Sequence, residues 1–377
     1  MEHITYLDNS ATTKPCKTAC EYISRALCEN WGNPSSLHTL GMYAEEAVTS
    51  AREAVAKFIS ARSDEIVFTG SGTEANNTAL MTVANSRNKK IITTQIEHPS
   101  VLETVKRLEA QGFEVVRIGC DSEGVIDLKA LEASLDGKTA MVSVMLVNNE
   151  IGTVQPVAEA VRIVKKIAPN ALFHCDAVQG FGKIPVNVRS LGVDMLSASA
   201  HKIHGPKGIG FLYCKKGLHI TPLITGGGQE RGLRSGTEAV PLIAGFEGAI
   251  KELPNITATA DKTAELNSYA RDAFRQSGFI EINSPENACP YILNISVPGY
   301  RSETLLHFLE MRNIFVSSGS ACAKGELSYV LKALGLDKAR IDSALRLSFS
   351  RNNTKEDIDL TLAALKDAVV SLRKNKI

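Results

Sequence analysis

Apolar positions along this chain fall into two alternating patterns. Short continuous runs, EIVFTG, KKIITTQIEH, TAMVSVMLVNNEIG, ALFHCDAVQ, VDMLSASAHK and GIGFLYCKK, read as strands buried on both faces. Between them, AEEAVTSAREAVAKFIS, SVLETVKRLEAQG and PVAEAVRIVKKIAP repeat apolar residues every three or four positions, which predicts helices. The alternation predicts an α/β fold, with a large domain built on a mostly parallel sheet sandwiched by helices. After about residue 248 the rhythm changes. A long amphipathic helix (TADKTAELNSYARDAFRQSG) leads to the strands FIEINSP and YILNISVPG, the helix SETLLHFLEMRN, the strand IFVSSG, the short helix SYVLKALG, the strand ALRLSFS and a closing helix. That order predicts a smaller α+β domain, joined by the N-terminal strand ITYLD. The expected division is 16–248 for the large domain, and 1–15 together with 249–377 for the small one. A chain of 377 residues suits two such units.

Charge narrows the partners. With 42 basic and 41 acidic residues there is no electrostatic case for nucleic acid or for an anionic membrane, so a small molecule is the expected partner. The start, MEHITYLDNSATT, lacks the basic, apolar and cleavage-site succession of an export signal, and no apolar run approaches the ~18 residues of a membrane span. A cytoplasmic protein is expected. Eight cysteines are scattered without a C-x-x-C pair, which argues against a metal site or a disulfide framework.

Chemistry collects at the ends of the apolar runs. Five of them finish, on the C-terminal side, in Gly70 to Thr73, His98, Asn148 to Glu150, Asp176 with Gln179, and Ser199 to Lys202. Ligands of open α/β sheets bind outside the carboxyl ends of the strands, so these clusters should meet in one crevice. GSGTEANN is a glycine- and hydroxyl-rich turn opening a helix, suited to a phosphate and equally to ordinary N-cap chemistry. His98 could be a ring-binding residue or a structural histidine. A carboxylate at Asp176, ending an apolar strand, needs a cationic or N–H partner to stay ionised. Lys202, in SASAHKIHGPKGIG, is costly to bury as an ammonium, although it could instead snorkel to solvent. Together the four match pyridoxal 5′-phosphate, which requires a lysine amine, a carboxylate for its ring nitrogen and anion donors for its phosphate. The small residues Ser199, Ala200 and Gly205 leave room for it. In ALRLSFS, Leu345, Leu347 and Phe349 share one face, so Arg346 points away from them and can fork a substrate carboxylate or serve as an ordinary strand arginine.

The stretches YLDNSATT, GNPSSLH, VFTGSGTEANN, EHPSV, VNNEIG, HCDAVQ, SASAHKIHGPKGIG, GGGQERGLRSGT and SSGSAC occur in an order that resembles cysteine desulfurases of the NifS/IscS type, which are fold-type I pyridoxal-phosphate enzymes with a class V aminotransferase-like fold. The resemblance spans nearly the whole chain, and it implies a seven-stranded sheet in the large domain. It implies a Schiff base on Lys202, His98 stacked on the cofactor ring, Asp176 at the ring nitrogen and Gln179 at the phenolic oxygen. It places Asn149 beside the cofactor and the substrate carboxylate, and gives the phosphate to Gly72, Thr73, Ser199 and His201. Thr237 would reach the phosphate of the other subunit of a homodimer. Cys322, in the small polar stretch SSGSACAKGE of the second domain, would take sulfur from L-cysteine as a persulfide, leaving L-alanine, with Lys202 and His98 handling protons. A protein acceptor for iron–sulfur cluster assembly or tRNA thiolation is implied.

Only AKGEL separates Cys322 from SYVLKALG, shorter than is usual in the housekeeping members that this chain resembles, which favours an acceptor that comes to the site. The neighbouring alternatives are a selenocysteine lyase or another pyridoxal-phosphate lyase or aminotransferase on the same scaffold. A nicotinamide enzyme is disfavoured, since GSGTEA lacks the G-x-G-x-x-G spacing.

Overall fold

Among the apolar runs, the residues of each strand divide between two cores. The computed structural model describes residues 3–318 and 327–374. Seven strands form the main sheet: β2 (Ile66–Thr69), β3 (Lys90–Thr94), β4 (Glu114–Ile118), β5 (Thr139–Ser143), β6 (Leu172–Asp176), β7 (Met195–Ser199) and β8 (Gly210–Cys214). Their spatial order is β2-β8-β7-β6-β5-β3-β4, parallel throughout except that β8 runs antiparallel to both its neighbours. Ile66, Phe68, Ile92, Val142, Leu196 and Phe211 enter one core, while Val67, Ile91, Met141, Met195 and Leu212 enter the core on the opposite face. Successive side chains of a strand point to opposite faces, so a sheet covered on both sides must be apolar at every position.

The first core lies under the helices Thr39–Phe58, Val157–Ile167 and Val240–Glu252, and the second under Gly72–Met81 and Pro99–Glu109. Phe181 anchors the first, meeting Phe58 edge-on at 5.1 Å and Phe211 at 5.3 Å between ring centroids. The strand β4 was not among the six apolar runs. It is the sheet's edge, its sequence EVVRI is interrupted by charge, and only Ile118 of its residues is fully buried. An edge strand with one exposed side has no need of a continuous apolar run.

A second sheet, in the order β12-β13-β10-β9, joins Ser317–Ser318 (β12), Ala344–Ser348 (β13), Ile292–Ser296 (β10) and Glu281–Ile282 (β9) as antiparallel pairs. The N-terminal strand β1 (Thr5–Tyr6) pairs in parallel with β11 (Ile314–Phe315), which ties the start of the chain to its last quarter. Leu7 is buried with Leu293, Leu345, Leu347 and Phe349 beneath the helices Ile256–Ser277 and Lys355–Ser371. Among the described residues, no helix is long and apolar enough to cross a membrane.

Candidate active site

Four parallel strands bring their C-terminal ends, and the helix after β2 its N-terminal end, to one cavity of about 260 Å³, many times what a single water needs. Gly72, Thr73, His98, Asn149, Asp176, Gln179, Ser199, His201 and Lys202 all line it, so the structure brings together nine of the residues singled out in the sequence. Arg346 and Thr237 lie outside the lining, and Cys322 falls outside the described residues. Asn76, Ser100 and Met145 line the cavity without having been singled out.

Asp176 ends β6 and is 4% exposed. Its Oδ2 accepts from Asn76 Nδ2 at 2.7 Å and its Oδ1 from the Val178 backbone N–H at 2.9 Å. Asn76 Nδ2 also donates to Ser100 Oγ at 2.9 Å, and Ser100 Oγ lies 2.8 Å from His98 Nδ1. Because the Ser100 backbone N–H donates to the same Nδ1 at 3.1 Å, that nitrogen is an acceptor and the neutral ring carries its proton on Nε2. Burial lowers the pKa of His98 and the Lys202 charge works in the same direction, against the pull of Asp176. His98 also caps the helix Pro99–Glu109, with proline at the first turn, so its structural and site roles coincide.

Lys202 occupies a tight turn after β7. Its Nζ donates to the Ser10 carbonyl at 2.5 Å and the Ala11 carbonyl at 2.7 Å. Burial, reinforced by Lys183 and Arg346, lowers its pKa to about 7, with Asp8 and Asp176 opposing. Such an amine sheds its proton readily near neutrality. Burial, with the charges of Lys202, Lys207 and Lys183, brings His201 down to about 4, so it is a neutral donor or acceptor, placed 3.2 Å from Thr12 Oγ1.

At the opposite end, Ser71 caps the helix Gly72–Met81 by accepting from the Glu74 N–H at 3.1 Å, which leaves the amides of the first turn open to an anion. A Cβ on Gly72 would come within 2.7 Å of Val178 Cγ2, so only glycine lets this turn pack against the loop after β6. Whether these groups suit pyridoxal phosphate can be judged from atoms without partners. Asn76 Oδ1 and Asn149 Oδ1 belong to cavity-lining residues and are buried with no hydrogen bond. Buried polar groups are otherwise nearly always paired, so a polar ligand belongs here. An open helix N-terminus, a partnered carboxylate, a ring-sized space and a deprotonable amine fit the cofactor.

Arg346 departs from the expectation of a free fork. It does point away from Leu345 and Leu347, yet its Nη2 is paired with Asp8 Oδ1 at 2.9 Å and its Nη1 donates to the Asn149 carbonyl at 3.0 Å, while Nε has no partner. The partner Asp8 sits in the YLDNSATT stretch, and nothing in its local pattern marks the contact. Thr237 is exposed in the loop ahead of the helix Val240–Glu252. Cys175 is fully buried in β6, and burial pushes its thiol pKa well above the ordinary value, as packing would have it. Two further carboxyl groups, outside the cavity lining, are shifted upward. Burial raises Glu97 to about 8 and Glu150 to about 7.

Relatives match this chain over nearly their whole length. The aminotransferase class-V family pattern matches residues 5–361. A cysteine desulfurase of Nostoc sp. is 43% identical, across 98% of this chain and 94% of its own. A solved NifS-like protein superposes with a TM-score of 0.93 at 41% identity, covering 98% of this chain and all of that one. A solved structure of SspA in complex with cysteine gives 0.82 at 34% identity, over 93% of this chain and 99% of its own. Taken with the cavity at the strand ends, these likenesses establish that the chain belongs to the aminotransferase class-V family, among its NifS-like cysteine desulfurases.

Proposed function

We propose that this chain is a pyridoxal-phosphate-dependent cysteine desulfurase, converting L-cysteine to L-alanine and passing the sulfur to a thiol of its own. One observation carries the reading: Lys202, Asp176, His98 and the open helix end at Gly72 converge on one cavity from separate strands. The substrate class is supported by the cysteine desulfurase relatives and by the cysteine complex of SspA.

When bound, the cofactor supplies an electron-withdrawing ring that accepts the electron pair released at the amino acid's Cα. Lys202 would hold its aldehyde carbon, Asp176 its ring nitrogen and Gln179 its phenolic oxygen. His98 would lie against the ring, and Asn149 beside it and the substrate carboxylate. Gly72, Thr73, Ser199 and His201 would hold the phosphate. With a pKa near 7, the Lys202 amine can take a proton from Cα and return it. His98 holds its proton on Nε2, the nitrogen that Ser100 leaves free, and would offer it as a hydrogen-bond donor to the reacting groups during release. Arg346 would take the substrate carboxylate by giving up part of its present pairing with Asp8.

The sulfur step balances without an outside oxidant: the Cβ–S bond of cysteine breaks, an S–S bond forms to the enzyme thiol, and Cβ gains a proton. Assignment of that thiol to Cys322 rests on the SSGSAC resemblance. A second copy of the chain would present Thr237 to the phosphate. Exposed Trp31, Leu37, Met42 and Tyr43 support such a contact, because apolar side chains clustered along one surface stretch mark association faces. A protein sulfur acceptor, serving iron–sulfur cluster assembly or tRNA thiolation, completes the reading, with the cytoplasm as its place.

Borohydride reduction of the yellow holoenzyme should fix the chromophore to the Lys202 peptide, and Cys322→Ala should lose alanine formation from cysteine. A protein that takes up no cofactor would sink the reading.

A further inference from the structure

Gln179 and Lys183 stand four residues apart in the consecutive turns after β6, in which the Phe181 N–H donates to the Ala177 carbonyl at 2.8 Å and the Lys183 N–H to the Gly180 carbonyl at 3.1 Å. The turns, with Gly182 at a φ of 73° between the two residues, bring the two side chains together. Lys183 is 4% exposed, yet no carboxylate pairs with it among the described residues. Its Nζ donates to Gln179 Oε1 at 2.8 Å. Burying an ammonium without a counter-charge is costly, so its retention calls for a reason beyond packing.

An ammonium only donates, so it dictates which end of the Gln179 amide faces it. The oxygen turns to Lys183 and the nitrogen turns away, where Nε2 donates to the Ser10 carbonyl at 2.9 Å with one N–H left over. The same Ser10 carbonyl accepts from Lys202 Nζ. Lys183, Gln179, Ser10 and Lys202 therefore form one continuous line of hydrogen bonds ending in the cavity.

We propose that Lys183 is a positioning residue of this site: it locks the Gln179 amide with nitrogen toward the cavity, presenting a donor to the anionic ring oxygen of the bound cofactor. Without it only the bond to the Ser10 carbonyl keeps the amide from turning over and setting oxygen against oxygen. The ammonium has a second consequence, since its charge opposes a charge on Lys202. Around Lys202, Arg346 acts in the same sense after burial and Lys183, Asp8 and Asp176 act against them, and His98 responds to the Lys202 charge. Lys183 itself faces Cys289, Arg346, His201 and His204, and shares a small rear cavity with Lys202, Tyr291 and Arg351.

The inference rests on the cofactor reading above, and its test separates the two. Full-length wild type, Lys183→Met and Lys183→Arg are compared in two ways: pyridoxal phosphate affinity by absorbance titration, and the pH midpoint at which Lys202 of the cofactor-free protein reacts with an amine reagent, read by peptide mass. In Lys183→Met the dissociation constant should rise about tenfold and the Lys202 midpoint by about one pH unit. Lys183→Arg, which keeps charge and donors, should restore both toward wild type. Should Lys183→Met fail to fold, Lys183→Gln, also uncharged, carries the same midpoint expectation. Wild-type affinity together with an unmoved midpoint in the uncharged variant overturns the proposal. A wild type that takes up no cofactor overturns the cofactor reading instead, and the labelling midpoint still tests Lys183.

Discussion

Asp176 and Lys202 enter the same cavity from adjacent strands, β6 and β7, but the two walls treat charge differently. Asp176 arrives with an amide side chain and a backbone N–H already directed at its oxygens. Lys202 finds only carbonyls, and its surroundings add the cations Lys183 and Arg346. Donors directed at both carboxylate oxygens before any ligand binds hold the group in place as a fixed acceptor, which is what a partner for a ring nitrogen must be. An amine left among carbonyls and cations holds its proton loosely, which is what a nucleophile and proton carrier must do.

The largest expected effect comes from the amine wall. Lys202→Ala should lower alanine formation from cysteine by about a thousandfold or more and abolish borohydride fixation of the cofactor; residual turnover within tenfold of wild type would break the contrast. Next is the acid wall, where Asp176→Ala should cost about a hundredfold in the same assay without moving the Lys202 attachment site. A smaller effect is expected at the donors: Asn76→Leu should weaken cofactor binding by about tenfold, measured by equilibrium titration, because it strips Asp176 of one of its two partners.

The smallest effect concerns Glu97, whose Oε1 accepts from Thr94 Oγ1 and the Met145 N–H while Oε2 has no partner. Its folded pKa of about 8 lies above the unfolded value. Its contribution to stability is therefore complete below about pH 4.5 and is lost as pH rises through 8. Thermal unfolding of the cofactor-free protein should fall between pH 5 and 8 more steeply in wild type than in Glu97→Gln; parallel curves would show that Glu97 is ionised in the fold.

Much of the site was legible from where apolar runs stop. Each strand must be apolar to lie between two helix layers, so a histidine, asparagine, aspartate or lysine at its C-terminal end stands out against that background. The edge strand β4 stayed hidden because its exposed side relaxes the requirement. The Asn76 contact to Asp176 was hidden by a separation of 100 residues, and Asp8 at Arg346 by 338. Lys183 was readable in principle, four residues beyond Gln179 in DAVQGFGKIP, but the pair carries weight only once the turns between them are known to be buried and to bring the two side chains together.

The chain's pattern alone settled the α/β class and the set of residue types at the strand ends, because periodicity and burial are local consequences of side-chain chemistry. Which of those groups are neutral, which are paired and which way an amide faces was settled only when distant segments met. Solvent exclusion and hydrogen-bond partners set protonation and orientation, and both are properties of the assembled cavity.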